Sequence, residues 1–215
     1  MRFMKTLLAA LAALACLAAA SLAGAQDLRA GRDYDVLATP QPTDAPGKVE
    51  VIEFFSYMCP HCMHFEPVLS KWVKAQPKDV AFRRMPVIFR PQWEAPARLY
   101  FTLEALNELD RLHVAAFEAI HGKGANLTSD AAVADWAASQ GVDRKKFADV
   151  YNSFTLQSKA ARAKQAAGAY RIPGVPTIVV AGKYRTPDNF PGSQEELLKI
   201  VDGLIAKARS EQGKK

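Results

Sequence analysis

Cys59-Pro60-His61-Cys62 stands at a junction that narrows the fold before any other feature is considered. Ahead of it, Val49-Glu50-Val51-Ile52-Glu53-Phe54-Phe55 is rich in β-branched and aromatic residues and reads as a buried strand. Behind it, Phe65, Val68, Leu69, Trp72 and Val73 fall on one helical face. Pro60 cannot continue a strand but suits the first position of a helix, where its missing N–H would have no partner. Cys59 is then the N-cap and Cys62 the third helical residue. Free N–H groups and the positive end of the helix dipole face the Cys59 sulfur, which favours thiolate over thiol. His61 adds a donor on the exposed side of the turn, and a positive charge when protonated. Cys62, three residues before Phe65, belongs to the buried face. The spacing therefore sets Cys59 toward a substrate and Cys62 behind it.

The N-terminus bears on what these cysteines can be. Arg2 and Lys5 precede a Leu- and Ala-rich run from Leu7 to Leu22, and Ala23-Gly24-Ala25 supplies small residues before Gln26. This pattern predicts a secretory signal cleaved after Ala25. The run is 16 residues, short against the roughly 20 that span a bilayer. An uncleaved anchor and a lipid-modified Cys16 are the competing readings, the second weakened by Ala13-Leu14-Ala15 before the cysteine. Cleavage removes Cys16 and leaves Cys59 and Cys62 of the three cysteines. An exported pair is expected to bridge, yet a bridge across two intervening residues constrains the unfolded chain very little. That points to chemistry rather than stapling. Of the +6 net charge of the 215 residues, two charges leave with Arg2 and Lys5. No basic cluster interleaved with aromatics exists, which argues against nucleic-acid binding.

Residues 26–48 read as an extended lead-in. A second strand is predicted at Val80 to Met85. From Gln92 to Ala169 the composition is Ala-rich and patterned for four or five helices, with Ser129 and Asp143 where N-caps belong. Strand character returns from Pro176 to Val180, and Ala181-Gly182 turns the chain into Lys183-Tyr184. A closing helix starts at Ser193, whose hydroxyl and Glu196 fit a capping box, with Leu197, Ile200, Val201, Leu204 and Ile205 as its apolar face. The order predicts one α/β domain, residues 26–91 and 170–215, split by a helical insertion over 92–169.

Three other uses of the pair compete. Zinc could take Cys59, Cys62 and His64, but structural zinc usually has four ligands and no second cysteine pair exists. Haem attachment requires histidine after the second cysteine, where Met63 stands. A purely structural bridge meets the loop-size objection. Gly174-Val175-Pro176-Thr177 supports the redox reading: a cis peptide there would present the Val175 backbone beside the cysteines, where an extended client peptide could pair. An ordinary trans turn is the alternative.

The run Glu53-Phe54-Phe55-Ser56-Tyr57-Met58-Cys59-Pro60-His61-Cys62, followed by Phe65-Glu66 and Pro67, resembles the active-site segment of the DsbA family of periplasmic thiol:disulfide oxidoreductases. The resemblance extends over essentially the whole mature chain and implies a thioredoxin-like fold with an inserted helical domain. It makes Cys59 the nucleophile, Cys62 the resolving partner, His61 the thiolate stabiliser and Val175-Pro176 the cis-proline site. It implies a dithiol oxidase that hands the Cys59–Cys62 disulfide to unfolded, newly exported polypeptides, needs no further cofactor, and is reoxidised by a DsbB-type, quinone-coupled membrane partner. Glu53 and Glu66 correspond to acidic groups near the site. Glu53 is anomalous in a stretch otherwise apolar from Val51 to Phe55 and is expected either to move protons for Cys62 or to pair with a basic residue on the next strand. Arg84 stands where the family has lysine; arginine holds its proton, so a fixed charge is expected there.

A disulfide isomerase of the same superfamily would need an N-terminal dimerisation domain, and only residues 26–48 precede the first strand, so a monomer is expected. A thiol-based metal carrier or chaperone is the rival of a different class. A glutathione-dependent relative normally lacks the paired cysteines. His64, His113 and His121 read as solvated or capping residues, Trp93 and Trp136 as packed in the insertion, and Phe89, Tyr100 and Phe101 as core rather than a client-binding patch.

Overall fold

The computed structural model describes residues 28–188 and 190–213, so the expected signal segment and Cys16 lie outside the described residues. Five strands form one sheet in the order β1-β5-β4-β2-β3. They are β1 (Asp35–Val36), β2 (Val49–Phe55), β3 (Val80–Pro86), β4 (Thr177–Val180) and β5 (Tyr184–Arg185). β2 lies at the centre, parallel to β3 and antiparallel to β4. Every residue of β2 is buried, as its near-continuous apolar composition requires.

Helix α1 (Pro60–Lys74) follows β2 directly. Between β3 and β4 come a 3₁₀ turn at Pro91–Trp93, α2 (Glu94–Ala105), α3 (Leu109–Phe117), a π turn at Glu118–Gly122, α4 (Asp130–Ser139), α5 (Arg144–Tyr151) and α6 (Phe154–Ala169). The closing helix is α7 (Gln194–Gln212). Ser129 and Asp143 cap α4 and α5 as predicted, and Ser153 caps α6 by the same geometry. Ser193 and Glu196 form the predicted capping box of α7. Ala181 and Gly182 turn the chain with φ of 51° and 63°.

Alternation along β2 sends its side chains into separate cores. Val49 and Val51 pack with Phe65 and Leu69 of α1 and with Val201, Leu204 and Ile205 of α7. Ile52 and Phe54 pack on the opposite face with Ala167, Tyr170 and Ile172. Phe55 joins the core of the helical block together with Tyr57, Cys59 and Cys62. The cysteine turn thus lies where the sheet meets the inserted helices. This is the thioredoxin-like α/β architecture with a helical insertion that the resemblance implies.

Some expectations need correction. The lead-in contains strand β1, paired antiparallel with β5 at the sheet edge. On α7, Leu198 is buried while Leu197 is only half-buried. Trp93 packs against the sheet-side core with Phe54 and Ile172 rather than inside the insertion, whereas Trp136 does pack there. Tyr100 and Phe101 are core, and Phe89 is 41 % exposed.

Candidate active site

Cys59 is the N-cap of α1, with extended backbone (φ −102°, ψ 114°), and Pro60 occupies the first turn. Its sulfur accepts the Cys62 N–H at 3.2 Å and lies 3.2 Å from the Val175 carbonyl oxygen. The Val175–Pro176 peptide bond is cis. The fold therefore brings Cys59, Pro60, Cys62 and Val175-Pro176 together, with the cis form taken of the two geometries the sequence left open. Both cysteines are thiols in this structure, Cys62 wholly buried and Cys59 6 % exposed. His61 is exposed.

The two sulfurs are driven apart. Cys59 is lowered to about 7, first by a hydrogen bond from the Cys62 side chain and then by the N–H groups of Cys62 and His61, with burial opposing. The Cys62 side chain, which sequence reasoning did not single out as a donor, thus leads the helix amides. Cys62 is pushed far above the usual thiol range by burial, by its bond to Cys59 and by the nearby charges of Cys59 and Glu53. At neutral pH one sulfur is readily a thiolate and the other stays protonated.

Beneath the cysteines lies a buried ionic cluster. Glu53 of β2 is in register with Arg84 of β3. Arg84 Nε donates to Glu53 Oε2 at 3.0 Å, and its Nη2 donates to both oxygens of Glu66, at 2.7 and 2.9 Å. Ser70, one turn along α1, donates its hydroxyl to Glu66. Glu53 does pair with a basic residue on the next strand, yet burial still raises its carboxyl to about 8, against the pull of Arg84. Burial pushes Glu66 the same way but is outweighed by His113, Arg84 and Ser70, so that carboxyl lies below its ordinary range. Burial also opposes the Arg84 charge and is outweighed by Glu53 and Glu66.

His113 overturns its sequence reading. It is 5 % exposed, not solvated. Its Nδ1 lies 2.8 Å from the Tyr57 hydroxyl, and its Nε2 lies 3.3 Å from Glu66 Oε2 in a geometry short of a regular hydrogen bond. A signal was present: His113 falls in phase with Leu112, Ala116 and Phe117 on the buried face of α3. His121, half-buried, contacts the Tyr57 carbonyl at 2.8 Å, and His64 is exposed.

A sheet and helix N-terminus that present one acidic, near-surface thiol with a second, buried thiol behind it define a thiol:disulfide oxidoreductase. The DSBA-like thioredoxin domain family matches residues 50–198, and the chain belongs to that family. The thiol:disulfide interchange protein DsbA of Pseudomonas aeruginosa is 43 % identical over 188 residues, 87 % of this chain and 89 % of that protein. That of Bordetella parapertussis is 42 % identical, covering 93 % and 95 %. The crystal structure of Pseudomonas aeruginosa DsbA superposes with a TM-score of 0.82 at 43 % identity, over 87 % of this chain and 97 % of that one. The oxidoreductase DsbA from Xylella fastidiosa gives 0.79 at 34 % identity, over 86 % and 100 %.

Proposed function

We propose that this chain is exported, loses residues 1–25 by cleavage after Ala25, and donates its Cys59–Cys62 disulfide to newly exported polypeptides in the periplasm. Residues 26–91 with 170–215 form the thioredoxin-like unit and 92–169 the insertion. The chain acts as a monomer, through its cysteine pair and without a further cofactor. A client thiolate attacks Cys59 Sγ; the bond to Cys62 breaks, and its electron pair goes to Cys62 Sγ, which takes a proton from Glu53, and Glu53 is reprotonated from solvent. A second client thiolate then attacks the client sulfur of the mixed disulfide. Cys59 leaves as thiolate, the client holds a new disulfide, and the chain has gained two electrons. A quinone-coupled membrane oxidase of the DsbB type returns the pair to the disulfide.

The observation that carries this reading is the Cys59 sulfur at the start of α1, within hydrogen-bond reach of both the Cys62 N–H and the Val175 carbonyl. The Cys62 N–H there stabilises the departing thiolate and so favours release of the disulfide, while the Val175 carbonyl is an acceptor at the client-facing edge of the site. Val175-Pro176 borders the strip along which an extended client backbone lies. Pro60 fixes the turn, His61 supplies an outer donor to the thiolate, Glu53 moves the proton for Cys62, and Arg84, a fixed charge, sets the electrostatics of that carboxyl together with Glu66. Cys59→Ser is expected to abolish oxidation of a reduced, unfolded test protein, with the loss read as free client thiol. Retained oxidation would overturn the assignment.

A further inference from the structure

The proposed mechanism gives His113 no task, yet its ring is buried among Phe55, Tyr57, Tyr100 and Phe117, with centroids 5.2–5.8 Å away. The groups facing it are Glu66 from α1, the Tyr57 hydroxyl from the turn before α1, Tyr100 from α2, and, behind Glu66, Arg84 of β3 and Glu53 of β2. Tyr57 and Tyr100 are both held neutral by burial.

The Glu66 carboxylate beside Nε2 selects the tautomer, and the Tyr57 hydroxyl, able to donate or accept, adapts to it. If Nδ1 carried the hydrogen, the Nε2 lone pair would face the Glu66 carboxylate, an arrangement of two acceptors. With the Tyr57 O–H donated to Nδ1, the hydrogen sits on Nε2 and points at Glu66. The cluster holds two carboxyls and one guanidinium, and a buried site of this kind keeps one carboxyl protonated rather than hold an uncompensated negative charge. The two carboxyls are not equivalent. Glu66 receives Arg84 Nη2 on both oxygens and the Ser70 hydroxyl, and His113 Nε2 lies 3.3 Å from its Oε2. Glu53 receives, among the described residues, the Nε hydrogen of Arg84.

We propose that His113 is a positioning residue that allocates the cluster's proton: its Nε2 hydrogen, together with the Ser70 hydroxyl, keeps Glu66 ionised and leaves the one remaining carboxyl proton on Glu53, the carboxyl that acts on Cys62. The use made of that proton rests on the proton-transfer role of Glu53; its location rests on the donors alone.

The test follows the side-chain carboxyl carbons of Glu53 and Glu66 by NMR against pH in the reduced full-length mature protein, wild type, His113→Leu, His113→Gln and Ser70→Ala. In wild type, Glu53 carries the titration at the alkaline end and Glu66 is ionised throughout. In His113→Leu, Glu66 takes a share of the proton and the Glu53 midpoint falls by about one pH unit. Gln offers an N–H in place of the imidazole and restores the wild-type curves. Ser70→Ala, at a half-buried position, moves both carboxyls in the same sense as His113→Leu and carries the test if the leucine variant does not fold. Identical Glu53 and Glu66 curves in wild type, His113→Leu and Ser70→Ala overturn the proposal. The rate at which dithiothreitol reduces the disulfide separates the two readings. If Glu53→Gln leaves its pH profile unchanged while His113→Leu still moves the carboxyl midpoints, the relay falls and the allocation stands.

Discussion

Glu53→Gln offers a stability measurement whose sign depends on whether the buried carboxyl is neutral. Glu53 is 1 % exposed, and its carboxyl is raised from an ordinary 4.5 to about 8, chiefly by burial. A group whose folded value lies above its unfolded value stabilises the fold at low pH, and that contribution is lost as pH climbs from the unfolded value through the folded one. At about 1.4 kcal/mol per pH unit, the accumulated loss is about 3 kcal/mol at pH 7 and about 5 kcal/mol above pH 8. Glutamine has the same shape, can accept the Arg84 Nε hydrogen through its carbonyl oxygen, and does not ionise. The variant is therefore expected to be more stable than wild type by about 3 kcal/mol at pH 7, by more at pH 8.5, and by little at pH 4.5. Urea unfolding of the reduced protein at these three pH values reads it directly. With a slope of about 1–3 kcal/mol per molar, the midpoint at pH 7 rises by about 1–3 M. Under the proposed relay, the prediction also pairs a gain in stability with a loss in turnover, because Cys62 would lose its proton donor. A Gln variant no more stable than wild type at pH 8.5, with a gap that does not change with pH, would refute the reasoning: Glu53 would then be an ordinary ionised partner of Arg84.

Two further substitutions probe the same site from either side. Cys62→Ala removes the largest influence lowering Cys59, so the thiolate absorbance of Cys59 should shift upward from its midpoint of about 7, by roughly one pH unit for a charge-assisted hydrogen bond. Cys62→Ser keeps a donor and should shift it less; an unchanged midpoint in the alanine variant would leave the helix amides as the sole cause. Arg84→Met removes the guanidinium and leaves both carboxyls buried, a loss of about 3–5 kcal/mol at pH 8 that shrinks at pH 4.5, where both carboxyls can protonate. Equal losses at the two pH values in denaturant unfolding would show that Arg84 contributes packing alone.

What was legible in the sequence was what short-range physics decides. β2, the cysteine turn and α1 follow from a β-branched run, a proline at the first helical position and a five-residue apolar face, all local signals. Ser129, Asp143 and Ser193 act as caps because a side-chain oxygen before a helix has one good use there. Ser153 gives the same signal before α6 and is legible in hindsight. β1 spans two residues, too few to show alternation, and its pairing with β5 through Asp35↔Arg185 and Val36↔Tyr184 joins segments far apart in the chain, whereas the turn at Ala181-Gly182 that leads into β5 was legible. His113 stayed hidden for a similar reason. Its phase on α3 marks it as buried, but only the fold supplies Glu66 and the Tyr57 hydroxyl that make a buried imidazole tolerable. The pairing of Glu53 with Arg84 was foreseeable in kind, since a carboxylate inside an apolar strand needs a partner. The sharing of Arg84 with Glu66 was not, because it depends on how α1 crosses β3.

The cysteine pair and the carboxyl cluster act as one electrostatic unit rather than two neighbouring features. A negative charge on Cys59 raises Glu53, as it raises Cys62. Coupling of this kind is reciprocal, so a protonated Glu53 favours the Cys59 thiolate as much as the thiolate favours the proton. In the dithiol form each holds the other in place: the thiolate at the mouth of the site, the proton on the carboxyl beneath it. Closing the Cys59–Cys62 bond removes the thiolate, and with it one of the influences raising Glu53. Burial, the largest of them, acts in both redox forms and, on the proposed relay, keeps the proton available when Cys62 next leaves as a thiolate. An ionised Glu53 would work against both sulfurs at once, making Cys59 a poorer leaving group and denying Cys62 its proton. On the proposed relay, this accounts for a carboxyl at Glu53 in the otherwise apolar stretch from Val51 to Phe55, and for the surrounding donors being spent on Glu66 instead.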